Sequence, residues 1–397
     1  MFLVPLDTRR EWFRFHHLFR DLLRYRLQAE DPPASARLLR QAADWHFARG
    51  QVDAGIEYLL RAEDWDAAID VIVARRSGVF ERGEMATLIR WIRLIPESVR
   101  SGRHRINLLL GALLVSEGHA AEAEDVLRHV AADDEASAGA RACGQSFLAA
   151  LAQWQPRPEV SINAAGRALE MLSRLGDAPI PDLLGLSDRA SLETMVMISG
   201  GRAHFLAGHM KAARDWLERA LVSEGAAYSV WRISGLGSLA LLEAWSGRTR
   251  RAEALANETL SVAQDVGLLS HPATADAYLA LTLVAIERGE PNRAALSLRE
   301  GTLRAEANRR SQLSWVGRLE QALLQAADGK ADQAQRVLGH SEHTAAPLAA
   351  AYAAAALDLG QSDQARKSLE SLHWRNFSTQ PLLRVERLLL ESRLSAV

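Results

Sequence analysis

The amino-acid sequence predicts an all-α solenoid of long helix hairpins, preceded by a short segment of different character. Three observations carry this expectation. Long Ala/Leu/Arg/Glu stretches dominate the 397 residues, and few segments alternate with the period of two that strands require. Seven glycines, Gly50, Gly118, Gly208, Gly247, Gly289, Gly329 and Gly360, stand where such helices would turn. Small residues recur in fixed phase with those glycines.

Residues 2–4 (Phe2-Leu3-Val4) read as a strand, and Phe13 and Phe15 alternate with polar neighbours as a second. From Leu18 the apolar spacing turns helical, through Leu22 and Tyr25. A hairpin followed by a helix is the closing half of a winged-helix module, which sets a first region at 1–30. A helical junction follows over 31–105. In it Gly50 makes the first hairpin, and Glu63-Asp64 is a further turn ahead of Trp65-Asp66-Ala67-Ala68-Ile69.

The third region, 106–397, is the repeat array. Five residues after the seven glycines stand Gly55, Ala123, Ala213, Ala252, Ala294, Ala334 and Ala365. Nine residues after come Leu59, Leu127, Leu217, Ala256, Leu298, Leu338 and Leu369. Seven residues before come Ala43, Gly111, Gly201, Ala240, Thr282, Ala322 and Ala353. Antiparallel helices approach closely only where side chains are small, and a leucine one turn later fills the adjacent groove. The glycine supplies the left-handed residue that ends the first helix. This is the tetratricopeptide pattern. The spacings 39, 42, 40 and 31 after Gly208 mostly exceed the usual ~34 residues, which implies longer helices. The wider gap before Gly208 leaves room for a degenerate pair turning at Gln155-Pro156-Arg157-Pro158.

Composition narrows the function classes. A formal net charge of −2, with acidic residues interleaved among the arginines, gives no global field to attract nucleic acid or anionic membrane. The single Cys143 has no thiol partner for a disulfide or a zinc site. The longest nearly pure apolar stretch, Ile106 to Val115, is too short to span a bilayer, and the N-terminus lacks the basic leader of a secretory signal. The chain is therefore expected to be cytoplasmic, without a membrane partner.

No enzyme constellation emerges, so no catalytic residue, metal site or cofactor is expected. The adjacent His16 and His17 would point about 100° apart on a helix. His340 and His343 lack a third ligand nearby in sequence. Cys143 reads as a small packed residue, and Asp133-Asp134-Glu135 as a solvated loop. Gly235-Leu236-Gly237 reads as the opening of a helix without the rest of a phosphate-binding fingerprint.

What remains is surface. The register places Met195, Ile198, Arg202, Phe205, Leu241, Ala244, Leu279, Leu283, Ile286, Val316, Leu319, Leu323 and Ala326 on the concave side. Two readings stay open: a groove for a hydrophobic or aromatic ligand or a partner helix, with Arg202 fixing an anionic group, or a tightly wound superhelix that buries these residues. The candidate groove residues are Arg202, Phe205, Trp231, Tyr278 and Trp315; the last three are natural stacking groups on first helices.

Two segments resemble a known family. Trp12-Phe13-Arg14-Phe15-His16-His17-Leu18-Phe19 is similar to the aromatic–Arg–aromatic–His–His–Leu–Phe segment of the large ATP-dependent LuxR-type transcription regulators, the STAND class typified by the maltotriose-responsive activator. Leu88-Ile89-Arg90-Trp91-Ile92-Arg93-Leu94-Ile95-Pro96 resembles the segment that precedes that family's long-helix repeats. The resemblance implies a solenoid that holds a small-molecule inducer or a regulatory protein and relays the change to an ATPase upstream or in trans. The chain departs from the family in two ways. It has no G-x-x-x-x-G-K-[ST] loop, and it ends in Leu382–Val397, one more amphipathic helix, where the family carries a DNA-reading helix-turn-helix. The expectation is thus a sensor and protein-interaction region without direct nucleic-acid binding, and more a fragment than a whole regulator. A stand-alone tetratricopeptide adaptor is the alternative.

Overall fold

The structure, a computed structural model, describes residues 3–5, 8, 13–75, 85–154, 157–183, 188–307, 309–338, 346–370 and 389–395. They fall into two compact units, Met1–Ile106 and Asn107–Val397.

In the first unit β1 (Leu3–Pro5) pairs antiparallel with β2 (Phe13–Phe15), Leu3 opposite Phe15. Phe15 meets Phe19 edge to face at 5.6 Å, which joins β2 to α1 (His17–Glu30). On α1, Leu18, Leu22 and Tyr25 share one face and are each more than half exposed. α2 (Pro32–Phe47) starts where Asp31 accepts a hydrogen bond from the Ala34 N–H at 2.9 Å, and prolines occupy positions that need no intrahelical donor. α3 (Val52–Arg61) packs Gly55 under the Phe47 ring, and α4 (Trp65–Ala74) follows a turn in which Glu63 is left-handed (φ 55°). α5 (Met85–Leu94) buries Leu88, Ile89, Trp91 and Ile92, and the short α6 (Glu97–Arg100) follows. Leu88, Ile89, Trp91, Ile92 and Ile95 of the Leu88–Pro96 segment thus act as core, while Leu94 is exposed and Arg90 faces outward to Glu57 at 2.7 Å.

The second unit is a succession of hairpins. α7 (His104–Ser116), which begins just before the boundary, pairs with α8 (Ala120–Ala132). α9 (Ala138–Ala150) and a 3₁₀ turn at Leu151–Gln153 pair with α10 (Pro158–Arg174). Then come α11 (Arg189–Leu206) with α12 (Met210–Leu221), α13 (Ser229–Trp245) with α14 (Thr249–Asp265), and α15 (Ala275–Glu287) with α16 (Pro291–Ala307). α17 (Ser311–Ala327) with α18 (Ala331–Leu338) and α19 (Ala346–Asp358) with α20 (Ser362–Glu370) complete the pairs, and residues 389–395 are helical. The fold is an all-α solenoid.

The glycine register holds at atomic detail. All seven turn glycines are left-handed, with φ from 68° to 79°. Ala123, Ala213, Ala252, Ala294, Ala334 and Ala365 are buried to within 1% of complete. At two of the turns the residue seven before the glycine meets the one nine after: a methyl group on Gly111 would lie 2.5 Å from the Leu127 side chain, and one on Gly201 2.7 Å from that of Leu217. The degenerate α9–α10 pair also exists, although Gln155 and Pro156 of its turn lie outside the described residues.

One contrast tests this packing. Gly201→Ala brings better helix propensity, about 1 kcal/mol, against overpacking of about 1–3 kcal/mol, because the methyl group must displace Leu217. A net loss is expected. Gly166→Ala on α10 meets nothing within 4 Å and should gain about 0.5–1 kcal/mol. Urea unfolding of the two variants should move in opposite directions; a shared direction would refute close approach at Gly201.

Two expectations need correction. Gly235 and Gly237 do not open a helix; they sit within α13, Gly235 against Leu221 and Gly237 against Asp276 and Ala277 of α15. They allow close helix approach, which the sequence order Gly-Leu-Gly by itself does not distinguish from a turn. His16 lies ahead of α1 with extended ψ (137°), so its ring stands 4.3 Å from that of His17 instead of pointing away from it.

Candidate functional site

The concave positions divide the open question of groove or core. Met195, Ile198, Phe205, Leu241, Ala244, Leu279, Leu283, Val316 and Leu319 are buried, while Ile286, Leu323 and Ala326 are partly exposed. Most of that stripe is therefore interior.

Arg202 on α11 is 5% exposed and already engaged. Its Nε donates to Ser238 Oγ on α13 at 2.8 Å, and its Nη2 lies 3.6 Å from Asp276 Oδ2 on α15. Ser238 Oγ donates in turn to Asp276 Oδ1 at 3.2 Å. Arg310, which caps the start of α17, grips the same carboxylate with two nitrogens, Nη1 to Oδ2 at 2.6 Å and Nη2 to Oδ1 at 3.3 Å. One ionic cluster thus ties four successive first helices together. It corrects the reading of Arg202 as a free groove cation.

The electrostatics follow from burial. Desolvation and the neighbouring Arg310 push the Arg202 guanidinium down to about 9, and Asp276 partly restores it, so it keeps its charge at neutral pH. Burial by itself would raise the Asp276 carboxyl; the two guanidiniums and the Ser238 bond outweigh it and hold the group below the usual carboxylate range. Two cations against one anion leave the cluster with net positive charge. The Arg310 Nε is buried without a hydrogen-bond partner.

The other candidates do not converge on this cluster. Phe205 is buried, edge to face with Trp245 at 6.3 Å. Trp231 is half-buried, edge to face with Tyr228 at 6.1 Å. Tyr278 is half-buried under the Arg304 guanidinium, 4.5 Å from its ring centre. Trp315 lies on α17, but its side chain is outside the described residues. Cys143 is buried, and desolvation pushes its thiol up to about 12. Asp133-Asp134-Glu135 forms the α8–α9 loop, with the Asp133 carboxylate accepting from the Glu135 N–H at 2.9 Å. His340 and His343 are outside the described residues. Among the described residues no group of three or more His, Cys, Asp or Glu side chains could hold a metal ion, and no helix is long and apolar enough to cross a membrane.

Asp276, Ser238, Arg310 and Glu320 are additions from the structure. Asp276 had a signal: it stands thirteen before Gly289, the slot that Met195 and Val316 fill in their own hairpins, so it is an acid in an apolar stripe. Arg310 had none, being one arginine among many. Glu320 on α17 is fully buried, and neither carboxyl oxygen has a hydrogen-bond partner. Thr282 on α15 faces it; that hydroxyl donates to the Tyr278 carbonyl at 2.9 Å and lowers the Glu320 carboxyl only in part. Burial raises the Glu320 carboxyl well above its ordinary value.

The arrangement defines a helical-repeat protein with a buried polar seam. Comparison with known proteins agrees. A family model described as "MalT winged helix domain" matches residues 1–35. The chain is 29% identical over 110 residues to serine/threonine-protein kinase PknK of Mycobacterium tuberculosis, covering 28% of this chain and 10% of the kinase. It is 30% identical over 127 residues to the HTH-type transcriptional regulator MalT of Klebsiella pneumoniae, covering 32% of this chain and 14% of the regulator. The chain therefore spans about a tenth to a seventh of the length of these two relatives. In fold it is similar to a chain of the APC/C hetero-tetramer Cut9-Hcn1, with a TM-score of 0.51 at 14% identity, over 94% of this chain and 72% of that one. The N-terminal segment is thus MalT-like, and the described residues of the Asn107–Val397 unit form an all-α helical-repeat solenoid.

Proposed function

We propose that this chain is a non-catalytic recognition scaffold, the effector-sensing and protein-interaction region of a MalT-like, ATP-dependent transcription regulator. The observation that carries the reading is the order of parts: a segment matching the MalT winged-helix domain, residues 1–35, leads into a solenoid of hairpins. The solenoid takes a small-molecule inducer or a regulatory protein, and a phosphate-loop ATPase upstream or in trans receives the signal. The chain itself needs no cofactor, acts in the cytoplasm, and neither reads DNA nor enters a membrane. Its net charge of −2 supports negligible DNA affinity at physiological salt.

Calorimetric titration of the purified chain with the phosphate-loop ATPase encoded in the same reading frame or an adjacent gene tests this directly. Micromolar or tighter binding, altered by an inducer, is the expected result. A heterologous adaptor role, favoured by the fold likeness to the Cut9-Hcn1 assembly, predicts no affinity for that ATPase and stable binding to an unrelated protein instead.

A further inference from the structure

Each glycine turn brings the same two positions together. At all seven, the backbone N–H one residue after the glycine donates to the carbonyl four residues before it, at 2.8–2.9 Å. At three of them the side chains meet as well. His46 Nδ1 lies 2.6 Å from Gln51 Oε1 at the Gly50 turn, and Arg248 pairs with Glu243 at the Gly247 turn. At the Gly208 turn both positions are histidine. His204, in the last turn of α11, and His209, which immediately precedes α12, stand Nδ1 to Nδ1 at 3.3 Å.

We propose that His204 and His209 chelate a single zinc ion through their Nδ1 atoms, with water filling the two remaining coordination positions. Ligand nitrogens about 2.0–2.1 Å from a tetrahedral ion lie about 3.3–3.4 Å apart, whereas neighbours at right angles around an octahedral ion lie about 2.8–3.0 Å apart. The 3.3 Å gap is the tetrahedral one, and it is long for a hydrogen bond. Neutral imidazoles suit zinc, copper and nickel; of these, tetrahedral spacing selects zinc. The pair is also held in place. The backbone bond and the left-handed Gly208 (φ 79°) fix one residue against the other, and Trp216 of α12 packs on His204 with ring centres 5.6 Å apart. His204 is half-buried and His209 exposed, so an ion and its waters reach the pair from solvent. Glu159, in the first turn of α10, adds a carboxylate whose field favours positive charge at His204. Bound zinc ties α11 to α12 at their turn. The site adds to the scaffold reading and does not rest on it.

Calorimetric titration of the full chain with zinc chloride tests the site, after dialysis against a chelator and at about pH 7.5, where ordinary imidazoles are mostly neutral. Micromolar binding is expected. Loss of an outer-shell partner alone weakens metal sites about ten- to a hundredfold, so removing a ligand by His204→Gln or His209→Gln should weaken binding at least about tenfold. His209 is exposed, so His209→Gln keeps the test open even if the half-buried His204 tolerates no change. The control His129→Gln, which removes an exposed histidine bonded to the Asp125 carbonyl, should leave the affinity unchanged. Cobalt in place of zinc should give the intense visible absorption of a four-coordinate ion. Three outcomes would overturn the inference: no zinc bound by the native chain at up to about 0.1 mM, an affinity that His209→Gln leaves unchanged, or the pale spectrum of six-coordinate cobalt.

Discussion

Replacing Asp276 by alanine is expected to destabilise the Asn107–Val397 unit by about 3–5 kcal/mol, the magnitude typical of breaking a buried ion pair by deleting one partner. The reason is charge left behind. Asp276 is 1% exposed and faces two guanidiniums, Arg202 and Arg310, that are 5% and 2% exposed. Without it, two cations remain in a low-dielectric interior with only Ser238 as an acceptor among the groups of the cluster. The triple replacement Arg202→Met, Asp276→Leu, Arg310→Met should recover most of the loss, since apolar substitutes for a whole buried cluster are often neutral or stabilising. Urea unfolding of the two variants decides the matter. A loss below about 1 kcal/mol for Asp276→Ala would mean that water reaches the cluster.

Glu320 supplies the second large effect, and it appears as pH dependence. Its folded pKa is raised well above 4.5, so above that pH the unfolded chain ionises while the folded chain keeps the proton. Stability is therefore fully present below the unfolded pKa and falls as pH rises toward the folded pKa, by up to about 1.4 kcal/mol per pH unit. The Thr282 hydroxyl, which also donates to the Tyr278 carbonyl, offsets the burial only in part. Two histidines oppose the trend. Desolvation depresses both His204 and His271, and in each the cost of charging makes stability rise with pH toward the unfolded value near 6.5. The difference between the native chain and Glu320→Gln cancels those contributions. That difference should grow in favour of the variant as pH rises from the unfolded toward the folded pKa; a difference independent of pH would place an ionised Glu320 in the folded state.

How far the molecule was legible in advance depends on the range of each interaction. The hairpins were legible because they are local. Gly201 and Leu217 lie sixteen residues apart on two helices joined by one turn, so their phase to Gly208 specifies the contact. The N-terminal strands were legible from the alternation at Phe13 and Phe15, and the turn at Glu63-Asp64 from what surrounds it. The polar seam was not. Arg202 was singled out as a cation in an apolar stripe, yet nothing near it in the chain shows that its partner sits on α15. Asp276 and Arg310 are thirty-four residues apart and belong to different hairpins. Glycines show the same limit: Gly235 and Gly237 read as the opening of a helix until α15 is seen packed against Gly237.

The sequence by itself determined the class of fold, the position of each described hairpin turn and which alanines and glycines lie where helices touch, since these depend on backbone conformation and on contacts within one hairpin. Only the tertiary structure decided that the concave stripe is largely buried and that Arg202 is bound rather than open. Those outcomes depend on how each hairpin is rotated against the next, and small rotations accumulate along a solenoid.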